Sequence, residues 1–274
     1  LRYVQHQSLE ICIVAVQQNG DALEHVLNQT PEICMAAVQN YGNALRYVRH
    51  QTLEICIAAV QQNGLALEHV LNQTPEICMI AVQEDGDALE HVLNQTPEIC
   101  MAAVQNYGNA LRYVRHQTLE ICIAAIQNDG NALEYVLNQT PEICIVAVQN
   151  NGDALEHVQH QIPEICIAAV QENGLALGDV VQQTRDICVS AVQQNGFSCV
   201  YIKSELFDHD EYVYMMYIAL FKSELFREFY KNYTYLEKRI KVLKQNSKKF
   251  TDELIDEIVA INSRSVKRAI KTLI

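Results

Sequence analysis

Cysteine stands at positions 12, 34, 56, 78, 100, 122, 144, 166 and 188, a step of 22 residues kept without a slip. Glycine keeps the same step from Gly20 to Gly196. A fixed period of this size means a tandem array of one supersecondary unit, each copy burying its apolar face against its neighbours. The period therefore settles the architecture before any single residue is read. It says much less about activity.

One unit, residues 30–51, shows how the copies are built. Thr30 is a helix N-cap and Pro31 suits the first helical position. Glu32 lies in the first turn, where the helix dipole favours a negative charge. Ile33 to Val38 is apolar on every side, which predicts a helix buried between the preceding and following units. Ala37 and its equivalents Ala15, Ala59 and Ala81 predict a close helix–helix contact. Gly42 is expected at the left-handed C′ position that ends the helix. Asn43, like Asp21, Asp87, Asn109, Asn131 and Asp153, is then expected to cap a second, shorter helix with Ala44, Leu45 and Val48 as its inward stripe. Leu65 and Leu175 replace that polar residue, which predicts a local loss of about 1 kcal/mol.

Helices of roughly ten and seven residues do not stand alone in water, so stacking must supply their stability. The expected fold is all-α: an α-solenoid of nine tandem 22-residue helix–turn–helix repeats over 1–203. Its N-terminal unit is read as incomplete, because Leu1 aligns with Leu23. Residues 204–274 read as a helical C-terminal cap, with helices at 208–221, 223–233, 234–246, 251–262 and 263–274.

The cysteines are expected to be reduced and structural. Packed helices lie roughly 9–10 Å apart, whereas a disulfide needs Cα atoms about 4.4–6.8 Å apart. Buried cysteine at such a position acts as a small hydrophobe, in a reducing compartment. Two glutamine columns run beside it, one through Gln7, Gln29 and Gln51, the other through Gln17, Gln39 and Gln61. Either their amides satisfy backbone groups at the helix ends or each other, or they line a groove for an extended peptide.

Charge divides the chain. Residues 1–196 hold 6 Arg, no Lys and 22 Asp plus Glu, a net of −16, while residues 197–274 hold 14 Lys plus Arg against 11 acids, a net of +3. An acidic array is ill-suited to phosphate backbones, so nucleic acid is not expected as its partner. In the tail, Lys238, Arg239, Lys241, Lys244, Lys248, Lys249, Arg264, Lys267, Arg268 and Lys271 form either a solvated surface or a basic face for nucleic acid or an acidic surface. No apolar run approaches the roughly 18 residues of a membrane span.

Differences between units cluster at the inter-helix turn and on the outer side of the second helix, most clearly at one pair of positions, Glu/Arg followed by His/Tyr. Its second member gives a stripe of Tyr3, His25, Tyr47, His69, His91, Tyr113, Tyr135 and His157. It is either a semi-exposed edge packing unit to unit or a partner-binding surface, since Tyr and Arg are enriched at interfaces. His157 and His160, three apart on one short helix, would give a metal only two ligands, so no metal and no cofactor is expected. No nucleophile is paired with a base and no loop is built to cradle phosphate. The carboxylate column Glu10, Glu32, Glu54 is accounted for by helix-start charge. The chain is therefore read as non-enzymatic.

The unit motif Thr/Leu-Pro/Leu-Glu-Ile-Cys-x-x-Ala-Val-Gln-x-x-Gly-x-Ala-Leu-x-x-Val resembles a short helical repeat family of unknown function, common in giant DNA viruses of amoebae and some intracellular bacteria. The resemblance covers 1–203. It implies an α-solenoid, a viral origin and, with it, a host-cytoplasm location and a host protein as partner. It carries no assigned active residues. The segment 28–59 recurs letter for letter at 94–125, three units later. Such growth by duplication fits a stack of interchangeable units better than one fixed active site. The function expected is a protein–protein interaction scaffold; the alternative is nucleic-acid or acidic-surface binding through the basic C-terminal helices.

Overall fold

A computed structural model describes residues 1–207. The chain divides into two compact units, Leu1–Gln159 and a second from His160 onward. The expected helices at 208–274, and with them the basic face, lie outside the described residues.

The first unit holds α1 (Leu9–Gln18), α2 (Pro31–Asn40), α3 (Leu53–Gln62), α4 (Pro75–Glu84), α5 (Pro97–Asn106), α6 (Leu119–Asn128) and α7 (Pro141–Asn150). The second holds α8 (Pro163–Glu172) and α9 (Arg185–Gln194). A six-residue 3₁₀ segment follows each, as Gly42–Tyr47 follows α2. Within each unit, consecutive α-helices pack together, and each also packs on the 3₁₀ segment before it. The described residues contain only helices and turns, and the fold is an all-α solenoid of 22-residue repeats.

Each α-helix opens as its sequence dictates. Thr30, with extended backbone, accepts from Ile33 N through its hydroxyl, and Pro31 fills the first turn. The same bond recurs at Ser8, Thr52, Thr74, Thr96, Thr118, Thr140 and Thr184. Ile162 breaks the row, so α8 begins without a side-chain cap. Ile162→Thr is expected to stabilise the second unit by about 1 kcal/mol. Amide exchange at Ile165, the third helical residue, should then slow about fivefold.

The helix exit corrects the sequence expectation in two ways. No described residue has positive φ, glycine included. Each α-helix ends instead on an extended residue, such as Asn19 at φ −151°, whose N–H still reaches Ala15 O. Glycine comes next and opens the 3₁₀ segment. The cap of that segment is the residue before the glycine: Asn19 Oδ1 accepts from Asp21 N at 3.0 Å. Asp21, Asn43 and their equivalents are therefore not the caps. Leu65 and Leu175 weaken nothing there, since Asn63 and Asn173 still accept from their amides at 3.1 and 3.0 Å. The segments without a side-chain cap are those after Tyr41 and Tyr107.

The core follows the columns. Ile33, Cys34, Ala37 and Val38 are buried, as are Ala44, Leu45 and Val48, and later copies repeat the pattern. Burial on every side of α2 does not hold: Met35 and Ala36 are half-buried. Neighbouring helices and a 3₁₀ segment cover three sides, and the fourth stays open.

The glycine column has a packing reason. A Cβ at Gly42 would sit 2.5 Å from Ala59 O of the next helix, and one at Gly108 would sit 2.6 Å from Ala125 O. Its amide is used as well. Gly42 N donates to Gln62 Oε1 at 2.6 Å, and Gly86 N to Asn106 Oδ1 at 2.9 Å. Side chain and amide alike are thus settled by the following repeat.

Candidate functional site

The eight stripe residues take their place from the 3₁₀ segments. His25, Tyr47, His69, His91, Tyr113, Tyr135 and His157 each end such a segment. Because consecutive segments pack on one another through the first unit, these residues form one row. All seven are half-buried. Tyr3 precedes the first complete repeat and is 89% exposed. His160 lies beyond the end of the segment Gly152–His157, so His157 and His160 do not share a helix.

The backbone under the row is held by the first glutamine column. Gln51 Nε2 donates to His69 O at 2.8 Å, and Gln51 Oε1 accepts from Leu71 N at 3.0 Å. Gln73, Gln95, Gln117 and Gln139 repeat both bonds, one to the last residue of the following repeat's 3₁₀ segment and one to the loop two residues beyond it. The same oxygen takes the cysteine thiol, Cys56 Sγ lying 3.6 Å from Gln51 Oε1. A single amide thus ties three groups of two repeats together, which is the backbone-satisfying role expected of it. The second column, Gln17, Gln39 and Gln61, is exposed. The amide that bridges repeats there is one residue further on, as Asn106 Nδ2 donates to Gln83 O at 2.8 Å.

Two Arg–Tyr copies differ from the rest. Arg46 lies over the Tyr47 ring at 4.6 Å and Arg112 over Tyr113 at 4.7 Å. Each also pairs with an aspartate of the preceding repeat, Arg46 with Asp21 and Arg112 with Asp87, both at 3.0 Å. These pairs are partly exposed and contribute little to stability. They hold the guanidinium over the ring, at the distance of a cation–π contact.

The ten cysteines are free and buried. Burial pushes the thiols of Cys34, Cys56, Cys78, Cys100, Cys122, Cys144 and Cys166 up from their ordinary value, and those of Cys188 and Cys199 up to about 12. A thiol so held is a poor nucleophile. Glu10, Glu54, Glu98 and Glu120 are held below the ordinary 4.5 by their own backbone N–H and then by the cap hydroxyl. At Glu32 the Thr30 hydroxyl is the larger influence. Both are the signature of a helix start. Among the described residues no helix is long and apolar enough to cross a membrane.

Sequence reasoning missed one element of this face. Arg49 and Arg115 reach back to main-chain carbonyls of the preceding repeat, from a position where four other copies carry an exposed leucine, Leu27, Leu71, Leu93 and Leu137. The signal was present as an alternation of Arg and Leu at a fixed step.

No curated protein and no solved structure matches the chain. One family model does, in five overlapping windows at residues 30–74, 52–96, 74–117, 96–140 and 118–162. The windows advance by one repeat and each spans two, so the family's own unit is a pair of the repeats described above. Residues 30–162 of this chain match the model of the family described as Domain of unknown function (DUF4116).

Proposed function

We propose that the array is a non-enzymatic scaffold that binds a protein through the row His25, Tyr47, His69, His91, Tyr113, Tyr135 and His157, with Tyr3 preceding it in the chain. The observation that carries this reading is a division of labour within one repeat. The backbone of the row is fastened by an unvarying glutamine, while the side chain on that backbone changes between Tyr and His and its neighbour between Glu and Arg. A rigid frame with a variable edge suits recognition, since rigid aromatic groups give contact area at low entropic cost. The buried thiols favour a reducing compartment, the cytoplasm. If the family resemblance extends to a viral origin, that is the host cytoplasm and the partner is a host protein.

The test replaces Tyr47, His69, His91 and Tyr113 together by alanine. The helical circular dichroism is expected to stay unchanged, because these side chains are half-buried and the glutamine bonds are to their main chain. Proteins captured from lysate by the parent array are expected to be lost. Capture that survives in a folded variant would reduce the row to packing.

A further inference from the structure

The loop after each 3₁₀ segment presents two successive main-chain carbonyls, and three times the chain fills such a pair with its own cation. Arg49 donates from Nη1 to Leu27 O at 2.9 Å and from Nη2 to Val26 O at 3.1 Å. Arg115 repeats this on Leu93 O at 2.8 Å and Val92 O at 3.1 Å. In the second unit Lys203 Nζ donates to Val180 O at 3.1 Å and Val181 O at 3.2 Å. Guanidinium and ammonium both fit, as expected of paired acceptors, which take strong charge-assisted hydrogen bonds.

In three other repeats that follow a 3₁₀ segment the residue in the cation's place is leucine, which has no donor. Leu71 stands there for the pair Val48–Arg49, Leu93 for Val70–Leu71, and Leu137 for Val114–Arg115. Burial registers the difference. Val26, Val92 and Val180, beneath a cation, are 0–1% exposed, while Val48, Val70 and Val114 are 5–6% exposed. The leucines themselves turn outward, Leu71 at 71%, Leu93 at 62% and Leu137 at 70%.

We propose that the open carbonyl pairs at Val48–Arg49, Val70–Leu71 and Val114–Arg115 bind the arginine or lysine side chains of a basic, extended peptide. The net charge of −16 over residues 1–196 favours such a partner. The exposed leucines offer apolar surface to the aliphatic stems of its side chains. Two of the pairs belong to adjacent repeats, about 9–10 Å apart by the spacing of packed helices. A polyproline II peptide rises about 3.1 Å per residue with three residues per turn, so arginines three residues apart face the same way at that distance. The pairs directly follow Tyr47, His69 and Tyr113 in the chain, but they bind through main-chain oxygens and not through the side chains of that row, so binding does not depend on those side chains.

The test is fluorescence anisotropy on the full chain, with a short labelled peptide carrying two arginines three residues apart in a proline-rich background. Binding is expected to saturate and to weaken with salt; the same peptide with glutamine for both arginines is expected to bind at least about tenfold more weakly. The double variant Leu71→Arg, Leu93→Arg fills both adjacent pairs from within, as Arg49 and Arg115 do, and should weaken binding by about tenfold or more. Leu53→Arg with Leu119→Arg adds the same charge at exposed helix-start positions, where α9 already carries Arg185. It should keep binding within about twofold, because exposed charges at a distance are screened. Equal binding of the arginine and glutamine peptides would overturn the proposal. So would equal losses in the two double variants, which would leave only long-range attraction.

Discussion

Gly64→Ala is expected to cost the first unit about 3 kcal/mol, the upper end of what overpacking a tight contact costs. A Cβ at Gly64 would stand 2.5 Å from Ala81 O and 2.8 Å from the Cβ of Asp85. Both atoms belong to the next repeat, and the carbonyl is part of the α4 main chain. Nothing there can rotate aside, so the two repeats must part. Gly178→Ala is the matched contrast. Its Cβ would meet only the Tyr201 ring, at 3.2 Å, and a side chain can shift by a few tenths of an ångström. That variant should be near neutral, the contact with the ring being offset by about 0.5 kcal/mol from restricting the unfolded chain. Urea denaturation of both proteins decides the matter. In a nearest-neighbour stack the Gly64 variant should also lose cooperativity, its curve separating into two steps. Equal midpoints for the two variants would refute close approach as the reason for the glycine column.

The same glycines show where sequence reasoning reached and where it stopped. The 22-residue period, the Thr-Pro helix start and the buried Ile, Cys, Ala and Val positions were legible, because each depends on local chemistry or on simple periodicity. The purpose of the glycine was not. A left-handed turn and a close approach by another chain segment select the same letter, and the absence of a positive φ together with the position of Ala59 O distinguishes them. The cap was misplaced for a similar reason. Asn19 and Asp21 are both good caps by type, and the extended backbone at Asn19 makes the choice. The Gln7 column was readable as a backbone partner because an amide has both a donor and an acceptor. The second bridging position was hidden by its alternation between Asn40, Gln62 and Glu84, although most of its members keep the amide. For the candidate site, spacing alone placed the Tyr/His row. It did not expose the carbonyl pairs, since main-chain acceptors leave no mark in the sequence.

The glutamine ladder yields a test in which pH reports on one hydrogen bond. Gln73 Nε2 donates to His91 O at 2.8 Å, while Oε1 accepts from Leu93 N at 3.0 Å and lies 3.5 Å from Cys78 Sγ. Gln73→Leu removes both main-chain bonds and should cost about 2 kcal/mol, at about 1 kcal/mol for each bond. Gln73→Glu keeps the shape and the acceptor. Near neutral pH its carboxylate faces the His91 carbonyl, and two acceptors repel. Once protonated, it can donate its O–H to that carbonyl and restore the bond. The folded protein therefore favours the protonated form, which raises the carboxyl's pKa above its unfolded value. The sign follows by linkage: the restored bond is fully present below the unfolded pKa and is lost as pH rises through the folded one. The helix-start glutamates have the opposite shift, and their contribution declines in acid, but they are common to parent and variant and cancel in the difference. The penalty of Gln73→Glu relative to the parent should thus fall from about 2 kcal/mol at neutral pH to under about 1 kcal/mol in mild acid. Urea denaturation of both proteins at the two pH values measures it. A penalty that does not change with pH would mean that donation to His91 O contributes nothing to holding the repeats together.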